Sequence, residues 1–177
     1  NVTPQEACIC EPVSCVIHSV ETVNPQFGDA CVIIGAGIMG LLHTQLCVKK
    51  GCFVIVVDMN EERLEMAASM GEHYTINPHK EHAEKRIMKI THGRKARAVF
   101  DTTPAASVVE EACRYVGNMG KLMIYSGIYP NKPVQMDAHW IHKGSIQILG
   151  TANSNDRDFM RAACMISEGI IDVKPFI

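Results

Sequence analysis

Short apolar runs alternate along the chain with longer segments that carry an apolar face. Residues 30–35 (ACVIIG) and 53–57 (FVIVV) are continuous and rich in β-branched side chains, the pattern of strands covered on both faces. Further runs at 73–76, 98–101, 121–125 and 146–149 predict four more strands. Between the first two, Ile38, Leu41, Leu42, Gln45, Leu46 and Val48 recur at helical spacing. Asn60 offers an N-cap to a helix reaching Met70, with Gly71 as its stop. Pro78 opens a polar, helix-prone stretch. Thr103-Pro104 predicts a cap with proline at the first helical position, and Gly117 the end of that helix. A last helix is expected over 156–168, behind Asn155. Ahead of the first strand, Glu11-Pro12 opens a helix-like segment that Asn24-Pro25 closes, and Gly28-Asp29 turns into the strand. The first 27 residues are therefore expected to be a lead-in segment and residues 28–177 a single α/β domain. Alternation of strand and helix predicts right-handed crossovers and a doubly wound, mostly parallel sheet of six strands in the order 3-2-1-4-5-6.

The chemistry is concentrated in Gly35-Ala36-Gly37-Ile38-Met39-Gly40. Three glycines at this spacing are informative only where a strand precedes them and a helix follows, as here. Gly35 permits a tight turn, Gly37 leaves room for a pyrophosphate to approach the backbone, and Gly40 lets the helix pack closely on the sheet. The free N–H groups and the dipole of the helix, at Ile38 and Met39, would then hold phosphate. Asp58 closes the second apolar run, 18 residues beyond Gly40. A carboxylate there accepts hydrogen bonds from ribose hydroxyls and repels an additional phosphate, so the pattern predicts NAD in preference to NADP. Arg63, one turn into the next helix, is placed to cover the adenine. A free-standing NAD-sensing module and an S-adenosylmethionine-dependent methyltransferase are the competing readings of the same loop.

These residues, with Glu11-Pro12, Cys15, His18, Gly28-Asp29, Gln45, Gly51, Arg63-Leu64, Phe100-Asp101, Gly120-Lys121-Leu122, Ser126-Gly127, Gly150-Thr151 and Glu168-Gly169-Ile170-Ile171-Asp172, give the chain a specific likeness. It resembles the cofactor-binding, Rossmann-type half of the zinc-dependent medium-chain dehydrogenases, on the sorbitol and threonine dehydrogenase branch. The resemblance implies an enzyme that oxidises a secondary alcohol or polyol to a ketone by hydride transfer to NAD. It implies zinc, ligated mostly by a preceding catalytic domain, with Glu11 at the metal. It also implies that a C-terminal segment returns to that domain, that this chain alone binds cofactor without turnover, and that the enzyme is a homodimer or homotetramer. Thr102 and Thr103, Ser126, Gly127 and Ile128, and Thr151 and Ala152 would line the nicotinamide side. The chain departs from the family at Thr102-Thr103-Pro104, where a glycine is common.

Composition narrows the remaining choices. With 47% hydrophobic residues and a net charge of −2, the 177-residue chain is neither disordered nor a dedicated nucleic-acid binder. No apolar run is long enough to span a membrane, and no secretory leader is recognised. Cys15, Cys31, Cys47, Cys113 and Cys164 fall in apolar periodic runs, which favours free thiols and a cytoplasmic protein. The basic residues Lys80, Lys85, Arg86, Lys89, Arg94, Lys95 and Arg97 read as a solvated face, since no aromatic residue between them could stack on bases. The ten methionines are expected to fill the core.

Overall fold

The computed structural model describes residues 2–177. Two helices lead in, α1 (Pro4–Cys8) and α2 (Cys10–Val23). Then β1 (Ala30–Ile34), α3 (Ile38–Lys49), β2 (Phe53–Val57), α4 (Glu61–Ser69), β3 (Tyr74–Ile76) and α5 (Ala83–Ile90) follow. The second half contains β4 (Ala96–Asp101), α6 (Ala106–Ala112), β5 (Val116–Ile124), α7 (Ala138–Gly144), β6 (Gln147–Gly150) and α8 (Asp156–Ser167). The strands form one sheet in the order β3-β2-β1-β4-β5-β6, and every pairing is parallel. This is the doubly wound order that the alternation predicts.

Three layers result. On one face α2, α3, α4 and α8 bury Val16, Val20, Leu42, Leu64 and Ala162 against Cys31, Ile33, Val54, Val56 and Phe100. On the other, α5, α6 and α7 cover Val32, Ile55, Val99 and Leu122. Successive strand residues therefore feed opposite cores, which is why the central strands read as unbroken apolar runs. The lead-in helix α2 is part of this core, with Val13, Val16, Val20 and Val23 at most 4% exposed. A hydrogen bond between the hydroxyls of Ser14 and Ser154, 2.7 Å apart, ties its start to the loop after β6. His18 Nδ1 lies 2.8 Å from Asp158 Oδ2 on α8.

Several local expectations are corrected. Thr103 does not cap α6: its N–H and hydroxyl both donate to Asp101 Oδ1, at 2.9 and 2.8 Å, and the helix begins at Ala106. This short-range bond to a preceding side chain outcompetes the cap. Gly117 does not stop a helix but lies within β5, which starts at Val116 instead of Lys121. There a Cβ would meet the carbonyl oxygen of Arg94 at 2.1 Å, so close backbone approach explains the glycine. The helix expected from Pro78 begins only at Ala83, after a turn in which Asn77 Oδ1 accepts the His79 N–H. Asn60 and Asn155 cap α4 and α8 as expected, accepting the N–H groups of Arg63 and Asp158. Of the methionines only Met123 is buried, whereas Met59, Met66, Met88, Met119 and Met160 are exposed. Cys164 is exposed and Cys113 half-buried, while Cys15, Cys31 and Cys47 are buried; all eight cysteines are free.

Candidate functional site

A single rung of the sheet aligns the residues that the sequence singles out. Val57, Ile34, Asp101, Ile124 and Gly150 lie in register across β2, β1, β4, β5 and β6. One residue further along each strand stand Asp58, Gly35, Thr102, Tyr125 and Thr151, at the carboxyl edge of the sheet. In an open α/β sheet this edge, at the point where strand order reverses between β1 and β4, is where ligands bind.

The turn from β1 to α3 is built by its glycines. Gly35 takes φ +92°, in the left-handed region, and its N–H donates to the Val57 carbonyl at 2.8 Å. A Cβ on Gly40 would fall 1.7 Å from the Gly35 carbonyl oxygen, so α3 meets the strand at a distance only glycine allows. Around Gly37, by contrast, a Cβ would meet nothing within 4 Å. Gly37 is the N-cap of α3 and no side chain caps that helix, while Ile38 at its first turn is 47% exposed and Met39 half-buried. The opening is thus lined by backbone at the positive end of a twelve-residue helix, an arrangement that could hold a phosphate.

Asp58 is joined directly to this turn. Its Oδ2 accepts the Ala36 N–H at 2.6 Å and its Oδ1 the Asn60 N–H at 2.8 Å. Both oxygens keep acceptor capacity for further donors. Arg63 lies exposed on α4, behind Asn60. On the other side of the turn, the Thr102 hydroxyl donates to the Ile34 carbonyl at 2.8 Å and touches the Gly35 carbonyl at 3.3 Å. Thr103 folds back on Asp101. After β5, the Ser126 N–H reaches the Asp101 carbonyl at 3.4 Å, Gly127 is exposed and Ile128 is half-buried. Thr151 has a buried hydroxyl with no partner, and Ala152 is exposed beside it. The structure therefore brings Gly35, Gly40 and Thr102 into contact, ties Asp58 to the same turn through the Ala36 N–H, leaves Gly37 facing open space beside them, and puts Ser126 and Thr151 further along the same edge.

Glu11 stands exposed in the first turn of α2, where its carboxylate accepts the Cys15 thiol at 3.2 Å. Among the described residues, no group of three His, Cys, Asp or Glu side chains could hold a metal. Cys8 is exposed, whereas Cys10 is buried against the Phe159 carbonyl.

Three residues of this edge carry chemistry that strand and helix patterns do not reveal. Asp101 is 0% exposed; its Oδ2 has no partner, and burial raises its pKa to about 6. His43 is fully buried, between the Met39 carbonyl at 2.7 Å and the Ser19 hydroxyl at 3.0 Å, and burial lowers its pKa to about 4. Tyr125 meets the His43 ring edge-on, with centroids 4.7 Å apart, and burial raises its phenol well above the ordinary value. The only available signal was a polar side chain inside an apolar run. A separate cleft of about 1220 Å³ opens at the opposite, amino ends of the strands. Its Arg97 and Lys95 are paired with Asp29 and Glu84.

Fold and turn together define an α/β protein of the doubly wound, dinucleotide-domain class. A family model for the zinc-binding dehydrogenases matches residues 39–168. The chain belongs to that family. A protein of Haemophilus influenzae described as zinc-type alcohol dehydrogenase-like is 29% identical over 177 residues, covering 100% of this chain and 51% of the relative. D-arabitol-phosphate dehydrogenase of Enterococcus avium is 26% identical over 180 residues, with 100% and 51% covered. The fold is shared with a Sinorhizobium meliloti protein described as a zinc-binding dehydrogenase and bound to NADP. The TM-score is 0.89 at 22% identity, over 94% of this chain and 49% of that one. The chain spans about half the length of the curated relatives it matches. Membership of this family removes the methyltransferase alternative. No described helix is long and apolar enough to cross a membrane.

Proposed function

We propose that residues 28–177 are the cofactor domain of an NAD-dependent, zinc-type alcohol or polyol dehydrogenase, with residues 1–27 leading in from a catalytic domain outside this chain. The observation that carries the reading is the 2.6 Å bond from the Ala36 N–H to Asp58, which fixes a carboxylate at the mouth of the glycine turn. Gly37, Ile38 and Met39 would hold the pyrophosphate through backbone N–H groups, with Gly35 and Gly40 shaping the cradle. Asp58 would accept the adenosine ribose hydroxyls, and Arg63 would lie over the adenine. Thr102, Thr103, Ser126, Gly127, Ile128, Thr151 and Ala152 would line the nicotinamide half; the partnerless Thr151 hydroxyl supports a ligand there. When bound, the dinucleotide supplies the hydride acceptor for oxidation of a secondary alcohol, and the protein supplies orientation and electrostatics.

NAD is favoured over NADP because the Asp58 carboxylate would face a 2′-phosphate and Met59-Asn60, not a cation, follows it. The NADP-bound neighbour shares the fold alone and does not weigh against this. Zinc would be held by side chains outside the chain, with Glu11 contributing one carboxylate. The exposed edge of β6 would pair subunits into a homodimer or homotetramer. Free cysteines suit a reducing cytoplasm.

The test is a fluorescence titration of the full-length protein with NADH and, in parallel, NADPH. Saturable binding with preference for NADH is expected. Equal or stronger binding of NADPH would overturn the role of Asp58, and binding of neither would overturn the cofactor site. Retention of zinc on dialysis should fall in Glu11→Gln if Glu11 is a ligand.

A further inference from the structure

We infer that the cleft at the amino ends of the strands is a binding site for a nucleoside polyphosphate, with Arg94 and Arg97 on its phosphates and Trp140 against its base. The cleft lies at the opposite end of the sheet from the glycine turn, so the inference does not depend on the dinucleotide reading. It has a volume of about 1220 Å³ and follows the starts of β3, β2, β1, β4 and β5. At about 4.8 Å for each of the strand intervals crossed, its length is roughly 19 Å, which suits an extended nucleotide better than a single inorganic anion. The loop that brings the cations to it, between α5 and β4, holds His92 and Lys95 in left-handed backbone, at φ 51° and 59°. Such strain in non-glycine residues is characteristic of ligand-binding loops.

The cleft is cationic in a chain whose net charge is −2. Arg94, Lys95 and Arg97 line it with one carboxylate, Asp29. Glu84 holds Lys95 at 2.9 Å, whereas Asp29 stands 4.0 Å from Arg97. Among the described residues, Arg94 has no carboxylate partner. Carbonyls at the end of α5 would repel an anion, but they are already engaged. Met88 and Lys89 accept the N–H groups of Gly93 and His92, and Thr91 accepts both the N–H and the Nε–H of Arg94. The terminal guanidinium groups of Arg94 are left for a ligand. Phosphate is the anion that guanidinium groups bind best.

Between these basic residues the sequence has no aromatic side chain that could stack on a base, and the fold supplies one from elsewhere. The Asn118 carbonyl accepts the Arg97 Nη1–H at 3.0 Å, and Asn118 Oδ1 lies 3.5 Å from where a Cβ on Gly144 of α7 would stand. α7 also carries Trp140, which packs against the core and lines the cleft. Arg94 reaches the same place because its carbonyl packs on Gly117, next to Asn118. Guanidinium groups and an indole in one cleft select phosphate carried on a flat ring.

The test is calorimetric titration of the full-length protein with ATP, tripolyphosphate and adenosine, each in the presence of saturating NAD. ATP should bind at least about tenfold more tightly than either fragment of itself. Arg94→Gln and Arg97→Gln should each raise the Kd for ATP about tenfold and leave that for NAD within about twofold. Both arginines are exposed, so neither change threatens folding. Lys85→Gln removes an equal charge from the same basic run outside the cleft and should leave ATP within about twofold. Trp140→Leu should weaken ATP about fivefold without affecting tripolyphosphate. No binding of ATP, equal binding of ATP and tripolyphosphate, equal losses in Lys85→Gln and Arg94→Gln, or displacement of NAD by ATP would overturn the inference. A protein that does not bind NAD would overturn the dinucleotide reading alone, because the arginine variants still decide where ATP binds.

Discussion

The Asp58 carboxylate accepts the backbone N–H of Ala36 at 2.6 Å, so the end of β2 and the glycine turn after β1 form one unit. Asp58→Ala should weaken NADH by about tenfold and reduce discrimination against NADPH, consistent with the loss of a charge-assisted hydrogen bond. Parallel titrations with the two cofactors check this. Unchanged affinity for both would remove Asp58 from the ribose site.

Gly40 and Gly37 separate packing from ligand space within one motif. A Cβ at Gly40 overlaps the Gly35 carbonyl oxygen, an atom of backbone that cannot swing away. Gly40→Ala should cost about 3 kcal/mol or more, read as a fall in Tm. Gly37→Ala meets nothing and should shift stability by less than about 1 kcal/mol. It should nonetheless weaken NADH at least about tenfold, because the methyl occupies the space intended for pyrophosphate. A Gly37→Ala protein with normal affinity would argue against the phosphate site.

Gln45 clamps the end of the chain to α3. Its Nε2 donates to the Asp172 carbonyl at 2.8 Å, and its Oε1 accepts the Asp172 N–H at 3.0 Å. Gln45→Leu would leave both backbone groups without their partner and should cost about 2 kcal/mol. Hydrogen exchange at Asp172 should accelerate more than exchange in β1.

Stability should respond to pH through two buried groups of opposite sign. His43 has its folded pKa lowered from 6.5 to about 4, so its contribution is fully present above pH 6.5 and is lost as pH falls towards 4. By linkage that loss is roughly 3 kcal/mol, and His43→Gln should flatten it. Asp101 is raised from 3.8 to about 6, so the folded state binds the extra proton between those values and loses stability as pH rises through 6. Asp101→Asn should therefore gain roughly 2–3 kcal/mol relative to the unmutated protein between pH 4 and pH 7.5. Denaturant titrations at several pH values measure both slopes. A constant difference between Asp101→Asn and the unmutated protein would refute the assigned ionisation.

Strand order and the glycine turn were legible in the chain because both depend on local pattern. Continuous β-branched runs, a helix after each and glycines at fixed spacing leave few topologies open. The segment 116–120 was not legible. Its sequence, VGNMG, reads as a turn, yet it extends β5 through a register irregularity opposite Ala96 and Ala98. Gly117 fits there only because the Arg94 carbonyl from another part of the chain crowds it. α3 posed the reverse difficulty. Residues Gly40 to Cys47 are buried all around, so periodicity alone could not say that His43 points towards Ser19 and Tyr125.

By itself, the sequence determined the class of fold, the order of its strands and the place of a carboxylate 18 residues after the last glycine of the turn. These follow from short-range preferences that each residue carries wherever it is placed. Tertiary structure decided which polar groups lost their water and which neighbours replaced it. Asp101 keeps one oxygen without a partner on a buried strand flanked in register by Ile34 and Ile124. His43 is neutral because three elements enclose it, and Gly40 is indispensable because the Gly35 carbonyl lies against it. Desolvation and steric contact depend on residues distant in sequence, and their magnitudes exist only once the chain has folded.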